Sequence, residues 1–197
     1  MKSHGKPVVS AIITTYQRHE LCKRAVNSVL DQTYEDIELT VVEDGSNSGI
    51  DSWLDKKISD AEYVKHEENR GLAAARNTGI EHTTGELVAF LDDDDGWKPT
   101  KIEKQVEKIN SLSDRVKRNL GVVYCGIERR TPEGDLKSVG RTENEGFLNE
   151  SIKRKGASTN PSSFLFPRQA IQDVGGFDES LPSSIDHDIW MKLATHG

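Results

Sequence analysis

Apolar and polar positions follow two alternating patterns along the first 112 residues of the chain. Short runs that are apolar on both faces, such as VVSAIITTY and ELVAFLD, are typical of strands covered by helices on both sides of a sheet. Between these runs, apolar residues recur three and four positions apart, as in helices with one buried face. The patterns predict strands at 8–16, 37–44, 61–66 and 86–92, and helices at 19–32, 71–82 and 98–112. This alternation predicts an α/β fold with a mostly parallel sheet flanked by helices.

The pattern changes from about residue 120 onwards. It predicts a strand at 120–130, a hairpin turn at TPEGD and a further strand at 160–168. A helix is predicted over 183–197, with Ile185, Ile189 and Leu193 as its apolar stripe. We expect this second half to be a smaller elaboration packed on the first sheet and not an independent domain. The expected organisation is therefore one domain over 1–197, with halves at 1–115 and 116–197.

Composition and charge narrow the possible partners and location. Hydrophobic residues make up 34% of the chain and charged residues 30%, with a formal net charge of −7, so a nucleic-acid partner is not expected. No apolar run approaches the roughly 20 residues of a membrane span. Cys22 and Cys125 are too few for a disulfide framework and predict reduced thiols in a cytoplasmic protein.

Polar and acidic residues follow the predicted strands at three places, in TTYQR, VEDGS and LDDDDGW. The carboxyl ends of parallel strands meet at one edge of a sheet, where ligands bind. Aspartates 92–95 together with Glu43 and Asp44 would repel one another there. A hard divalent cation such as Mg²⁺ or Mn²⁺ would relieve this repulsion and would also bind substrate phosphates. The alternative is a solvated acidic loop before the next helix, where aspartate is also favoured.

The order and spacing of these segments resemble the family 2 glycosyltransferases, inverting enzymes with the GT-A (Rossmann-like) nucleotide-diphospho-sugar transferase fold. The resemblance is carried by VSAIITTYQR, VVEDGS, GLAAARNTG, FLDDDDGW and DHDIWMKL. It implies transfer of a sugar from a nucleotide-diphosphate donor, with a UDP-sugar favoured, to an acceptor hydroxyl. The implied cofactor is a divalent metal, Mn²⁺ or Mg²⁺. Residues 1–115 would then bind the nucleotide sugar, and residues 116–197 would form the acceptor side.

The resemblance also implies a role for each matching position. Asp186 is implied as the catalytic base, whereas Ile185 stands where the family has a glutamate. Thr14 and Tyr16 are implied to bind the nucleotide, Asp44 to recognise uracil, and Arg76 and Asn77 to border the nucleotide pocket. Asp92 or Asp93 would contact the ribose. Asp94 would ligate the metal, with Asp92 as the other acid of the D-x-D motif.

The implied acceptor is a glycan, a lipid-linked group or another hydroxyl compound, in polysaccharide or glycoconjugate biosynthesis. Such an acceptor is compatible with peripheral association at the cytoplasmic face of a membrane. Two other functions share parts of the pattern. Sugar-nucleotide pyrophosphorylases have a Gly-rich loop after the first strand, where this chain has TTYQRHE. A non-catalytic nucleotide-sugar-binding domain is the second alternative, and Asp186 argues against it.

Overall fold

A computed structural model of the protein describes residues 5–58, 60–140, 146 and 160–196. The strands are β1 (Val9–Thr15), β2 (Ile37–Asp44), β3 (Glu62–His66), β4 (Leu87–Asp92), β5 (Val123–Tyr124), β6 (Ile127–Arg130), β7 (Leu136–Gly140) and β8 (Phe164–Pro167). The helices are α1 (His19–Leu30), α2 (Ile50–Lys57), α3 (Leu72–Glu81), α4 (Lys101–Ser111), α5 (Asp114–Arg118), α6 (Arg168–Asp173) and α7 (Ile185–His196).

The central sheet has six strands in the order β3-β2-β1-β4-β8-β5. The first four of these strands are parallel, and β8 is antiparallel to both β4 and β5. In the register, Thr15 lies opposite Glu43 and Thr14 lies opposite Asp92. The polar strand ends therefore meet at one edge of the sheet, which confirms the α/β prediction and the predicted meeting of the strand ends.

Successive side chains of the central strands enter two different cores. Ala11 and Ile13 belong to a cluster with α1, α2 and α4, whereas Ile12 belongs to a cluster with α3, α6 and α7. Strand residues alternate between faces, so a run that is apolar throughout supplies both clusters. Helices thus cover both faces of the sheet. Within the described residues, no helix is both long enough and apolar enough to cross a membrane.

Helix α3 packs close to the sheet because its contact face consists of small residues. Ala73, Ala74 and Ala75 are buried, and a Cβ atom on Gly79 would lie 2.3 Å from Cγ2 of Ile12. Only glycine permits this approach between the helix and β1. The close packing brings the side chain of Arg76, on the same helix, into the interior beside β4.

The second half of the chain differs from the prediction in its strands. The predicted strand at 120–130 is two elements: β5 pairs with β8 in the central sheet, and β6 pairs with β7 in a separate hairpin. The break comes at Cys125 and Gly126, which belong to neither strand. The predicted strand at 160–168 begins instead with a 3₁₀ turn, because the Asn160 side chain accepts a hydrogen bond from Ser162 N.

One helix of the first half is absent from the predicted elements. Helix α2 follows the turn cluster after β2, where buried Ile50 and Leu54 have helical spacing. A short amphipathic segment after a glycine turn carries too little periodic signal to distinguish it from a loop.

Candidate active site

Arg76 lies at the centre of the candidate site, and its side chain is 0% exposed. The guanidinium carbon lies 5.7 Å from the ring centroid of Phe90 and 5.3 Å from that of Phe177. Nη2 donates to Asp92 at 2.8 Å, and Nη1 donates to Asp186. A buried charge is costly unless it is paired and hydrogen-bonded. The pairing therefore holds Asp92, at the end of β4, and Asp186, at the start of α7, around one guanidinium.

Asp186 is the second residue of α7 and is half-buried. Burial raises the pKa of its carboxyl group, Asp92 acts in the same direction, and Arg76 opposes both. A carboxylate with a raised pKa is suited to accept a proton. The neighbouring Ile185, which replaces the family's glutamate, packs in the apolar core beneath this helix.

Asp93 and Asp94 share a second arginine. Arg18 Nη1 lies 3.0 Å from Asp93 Oδ1 and 3.2 Å from Asp94 Oδ2. Asp93 is buried and also accepts a hydrogen bond from Thr15 Oγ1 at 2.8 Å. Burial raises the pKa of Asp93, while the bonds from Thr15 and Arg18 oppose that rise. The Asp94 side chain is 55% exposed, so it remains accessible from solvent.

Asp95 and the main chain of the acidic run contact the 3₁₀ turn before β8. Asn160 Nδ2 donates to Asp95 Oδ2 at 3.2 Å, and Asp92 N donates to Ser162 Oγ at 3.1 Å. Trp97 Nε1 donates to Ser162 O at 2.8 Å. These bonds fix the course of the loop after β4. Asp92 then pairs with Arg76, Asp93 and Asp94 share Arg18, and Asp95 pairs with Asn160.

Glu43 and Asp44 point into the protein and do not add to the acidic cluster as the sequence analysis assumed. Burial disfavours ionisation of Glu43, but hydrogen bonds from Ser46, Tyr63 and Ser48 outweigh it and lower the pKa. Self-repulsion at the strand ends is therefore smaller than the number of acids indicates.

Asp44 fixes the loop that leads into α3. Its Oδ1 accepts from Arg70 N at 2.8 Å and contacts His66 Nδ1 at 2.7 Å. Its Oδ2 accepts from Gly71 N at 2.8 Å. The other ring nitrogen of His66 lies 2.9 Å from Thr78 Oγ1. Three internal partners thus occupy the carboxylate for which the resemblance implies uracil recognition, and that role stays a prediction.

The remaining predicted nucleotide contacts lie in three different environments. Thr14 is buried at the end of β1, and the Tyr16 ring is exposed beside it. Asn77 binds the main chain of Phe177 through both its side-chain oxygen and nitrogen, and its nitrogen also donates to Glu179 Oε1 at 2.9 Å. In the structure Asn77 therefore fixes the loop before α7, and its predicted nucleotide contact is untested.

Two open depressions lie next to these strand ends. One of about 460 Å³ is lined by Gln17, His19, Gly45, Ser46, Asn47 and Ser48. A second, of about 350 Å³, is lined by Gly45, Ser46, Asn47, Lys65, His66 and Glu67. Apart from Gly45, both depressions are lined by residues with polar or charged side chains.

The acids at the edge of the sheet suit a metal that takes few protein ligands. Among the described residues, no three His, Cys, Asp or Glu side chains are grouped so as to enclose a metal ion. Mg²⁺ and Mn²⁺ are commonly held by one or two carboxylates, with water and substrate phosphate completing the coordination. Asp94, with an exposed carboxylate, and Asp92, with a side chain 30% exposed, fit that role.

Several residues of this site were not predicted from the sequence. Arg18 and Thr15 pair with Asp93, while His66 supports Asp44. Arg18 and Thr15 lie in TTYQR, which the sequence analysis singled out, so their position at a strand end was an available signal. Nothing near His66 in the sequence indicates its partners.

The comparison with protein families identifies the group to which the chain belongs. The model of glycosyl transferase family 2 matches residues 10–175. The chain belongs to this family. A Rickettsia felis relative, an uncharacterized glycosyltransferase, is 33% identical in an alignment 196 residues long that covers 95% of this chain and 31% of the relative. The glucosyl-dolichyl phosphate glucuronosyltransferase of Haloferax volcanii is 34% identical in an alignment 177 residues long that covers 86% of this chain and 56% of that protein.

Solved structures confirm the GT-A fold. S. aureus TarS 1–349 in complex with UDP superposes with a TM-score of 0.73 at 20% identity, over 95% of this chain and 55% of that one. Pyrobaculum calidifontis mannosyltransferase PcManGT, in complex with GDP-Man and Mn²⁺, gives 0.70 at 22% identity, over 98% and 54%. The family 2 chain described here thus spans between about a third and just over half of these proteins.

Asp44→Ala tests the internal role of that carboxylate. The substitution leaves Arg70 N, Gly71 N and the His66 ring without their acceptor, so we expect the free energy of unfolding to fall by about 2–4 kcal/mol. Urea denaturation of the nucleotide-free chain measures this change. Asp55→Ala, on the exposed side of α2, is the control and should stay within about 0.5 kcal/mol of the parent. Equal stability of the two variants would contradict the assignment.

Proposed function

We propose that the chain is an inverting glycosyltransferase that moves a sugar from a nucleotide-diphosphate donor, with a UDP-sugar favoured, to an acceptor hydroxyl. The observation that carries the proposal is the pairing of Asp92 and Asp186 with one buried guanidinium, that of Arg76. This pairing joins Asp92, at the end of β4, to Asp186, at the start of α7. We further propose one domain over residues 1–197, with the donor bound by 1–115 and the acceptor by 116–197.

The proposed reaction is a single displacement. The acceptor oxygen forms a bond to the anomeric carbon while the bond from that carbon to the diphosphate oxygen breaks. The acceptor proton passes to a carboxylate oxygen of Asp186, and the bonding electrons leave with the nucleoside diphosphate. Attack from the side opposite the leaving group inverts the anomeric configuration. Arg76 holds the Asp186 carboxylate in place, because two of its bonds fix the guanidinium between Asp92 and Asp186.

Asp94, together with Asp92, would hold a divalent ion, Mn²⁺ or Mg²⁺. When bound, such an ion neutralises negative charge on the departing diphosphate. The exposure of Asp94 supports this role, because the ion must share its coordination with the donor phosphates. The structural neighbour from Pyrobaculum calidifontis, in complex with GDP-Man and Mn²⁺, adds support.

Support for the donor and acceptor classes comes from relatives. TarS is in complex with UDP, which favours a uracil nucleotide, with Thr14, Tyr16 and Asp44 as its proposed contacts and Asp93 or Asp92 at the ribose. The name of the Haloferax volcanii relative, a glucosyl-dolichyl phosphate glucuronosyltransferase, supports a lipid-linked or other glycan acceptor for this chain. We propose glycoconjugate or polysaccharide synthesis in the cytoplasm, including peripheral association with the membrane face.

Removal of the metal should weaken nucleotide binding. Without a cation the diphosphate faces Asp92 and Asp94 directly, so we expect the Kd for UDP to rise about tenfold or more when EDTA is added. Asp94→Asn should show the weaker binding even with Mn²⁺ present. Isothermal titration with UDP and GDP, each with and without Mn²⁺, measures both effects and the base preference.

Asp95→Asn is the matched control for this experiment, because Asp95 is the adjacent acid and bonds to Asn160. It should keep the response of the parent to Mn²⁺. Equal UDP affinity with and without the ion would remove the metal from the proposal, and equal affinity for UDP and GDP would remove Asp44 as a reader of the base.

Asp186→Asn tests the catalytic base. We expect transfer to fall by about 10² to 10⁴, the usual contribution of a general base. The affinity of the folded chain for UDP with Mn²⁺ should stay close to that of the parent, because asparagine is nearly isosteric and can still accept from Arg76. The melting temperature should fall, because the buried guanidinium loses one of its two carboxylate charges. The rate is followed as UDP release from a panel of UDP-sugars, with and without hydroxyl acceptors.

Asp188→Asn is the control on the same helix, since Asp188 pairs with Lys192 at 2.8 Å. It should keep the parental rate. A rate that survives in Asp186→Asn but collapses in Asp188→Asn would move the base to Asp188. Binding of a UDP-sugar with Mn²⁺ but no turnover by the parent chain would favour the non-catalytic nucleotide-sugar-binding domain.

The pH dependence of transfer should reveal the environment of the base. Asp186 must be ionised to accept a proton, and burial raises its pKa above the ordinary value of 3.8. Activity should therefore be lost as the pH falls through that raised pKa, at a higher pH than an exposed aspartate would give. The rate of UDP release is measured across the acid range, with circular dichroism to verify folding at each pH. An acidic limb at or below pH 3.8 in a folded chain would contradict this environment.

A further inference from the structure

Arg18 holds two of the four strand-end aspartates without being buried. It lies in the loop between β1 and α1, next to Gln17, whose φ is 58°. One nitrogen, Nη1, contacts Asp93 Oδ1 at 3.0 Å and Asp94 Oδ2 at 3.2 Å. The side chain of Arg18 is 52% exposed, so water and ions reach it. This guanidinium neutralises charge on Asp93 and on Asp94, the predicted metal ligand.

The contact with Asp94 conflicts with ion binding at the same carboxylate. Mg²⁺ lies about 2.1 Å from its oxygen ligands. A guanidinium nitrogen 3.2 Å from the same Asp94 oxygen would then lie within a few ångströms of the ion and repel it. An ion that binds Asp94 Oδ2 takes the place of the guanidinium, and an ion on the other carboxylate oxygen is still repelled by it, so the two cations compete for Asp94.

The two contacts of Arg18 differ in strength. Asp93 is buried and accepts a second hydrogen bond, from Thr15, so its carboxylate is held in place independently of Arg18. Asp94 is more than half exposed, and exposed ion pairs change an equilibrium constant by a factor of only about one to five. The Asp94 contact is therefore the one that an incoming ion breaks, while Asp93 keeps Arg18 at the site.

We propose that Arg18 is the resident counterion of Asp93 and Asp94, and that a divalent ion competes with it for Asp94, so that Arg18 lowers the ion affinity of the site. The inference rests on the proposed function for one point, the role of Asp94 as ion ligand. Arg76 does not share this behaviour, because its guanidinium is fully buried between Phe90 and Phe177 and paired with Asp92 and Asp186. Arg76 is therefore a fixed partner of its aspartates, whereas Arg18 can give up its contact with Asp94.

The test uses Mn²⁺ alone on the chain without nucleotide, at low ionic strength, since salt screens exposed pairs. Free Mn²⁺ is measured by electron paramagnetic resonance. Arg18→Gln should bind Mn²⁺ about two- to fivefold more tightly than the parent, the factor that an exposed ion pair supplies. Arg24→Gln, which removes an exposed charge from α1, should leave the affinity unchanged. Asp94→Asn should abolish this binding in both the parent and the Arg18→Gln background.

A second measurement separates displacement from a general charge effect. The side-chain ¹⁵Nε resonance of Arg18 should shift during a Mg²⁺ titration, with the same midpoint as ion binding. The Arg76 resonance serves as the internal reference and should move much less, since its partners are buried with it. An effect of net charge alone would tighten Mn²⁺ binding in Arg18→Gln without moving the Arg18 resonance of the parent, and would overturn the proposal.

Three further outcomes would also overturn it: equal or weaker Mn²⁺ binding by Arg18→Gln, no measurable binding by either form, or binding that survives in Asp94→Asn. None of these measurements uses a donor sugar or an acceptor. A chain that shows the expected competition but no sugar transfer would support the role of Arg18 and contradict the proposed function.

Discussion

The buried guanidinium of Arg76 is the constraint on which the candidate site depends. A charge in the interior must be surrounded by partners, and here the partners are Asp92, Asp186 and the rings of Phe90 and Phe177. The small residues of α3 bring the helix close enough to the sheet for Arg76 to lie at its edge. Once Arg76 is there, the end of β4 and the first turn of α7 must each supply a carboxylate. Two distant parts of the chain are thereby held in one arrangement.

The acidic residues at one edge of the sheet have different structural roles because their burial and their partners differ. Asp44 is buried and holds main-chain groups of the next loop, so its charge is used internally. Asp93 is buried beside Arg18 and Thr15, whereas Asp94 faces solvent beside the same arginine. A carboxylate that is exposed and only weakly paired can exchange its partner for an ion. Among the four aspartates, Asp94 is therefore the one best suited to the ion binding proposed above.

Membership of glycosyl transferase family 2 and the GT-A fold follow from the comparisons, whereas the reaction is inferred from the site. The neighbours of known structure are 20% and 22% identical, which establishes the shared fold alone. In this chain, Arg76 links Asp92, on the proposed donor side, to Asp186, the proposed base. Asn77 adds a second connection between α3 and the segment that precedes α7, through both main-chain groups of Phe177.

The sequence by itself determined the alternation of strands and helices and the meeting of acidic strand ends at one edge, and the family resemblance added the prediction that Asp186 is the base. Local periodicity encodes the first two, since the burial of each strand or helix is written in its own residues. The tertiary structure decided which aspartate pairs with which arginine and where the strand predicted at 120–130 divides. It also decided that Arg18 belongs to the candidate site. Arg76 and Asp186 are 110 positions apart and Arg18 and Asp93 are 75 apart, so no local pattern contains their contact. Only the packing of α3 and α7 against the sheet brings such charges together, and their burial then fixes the role of each.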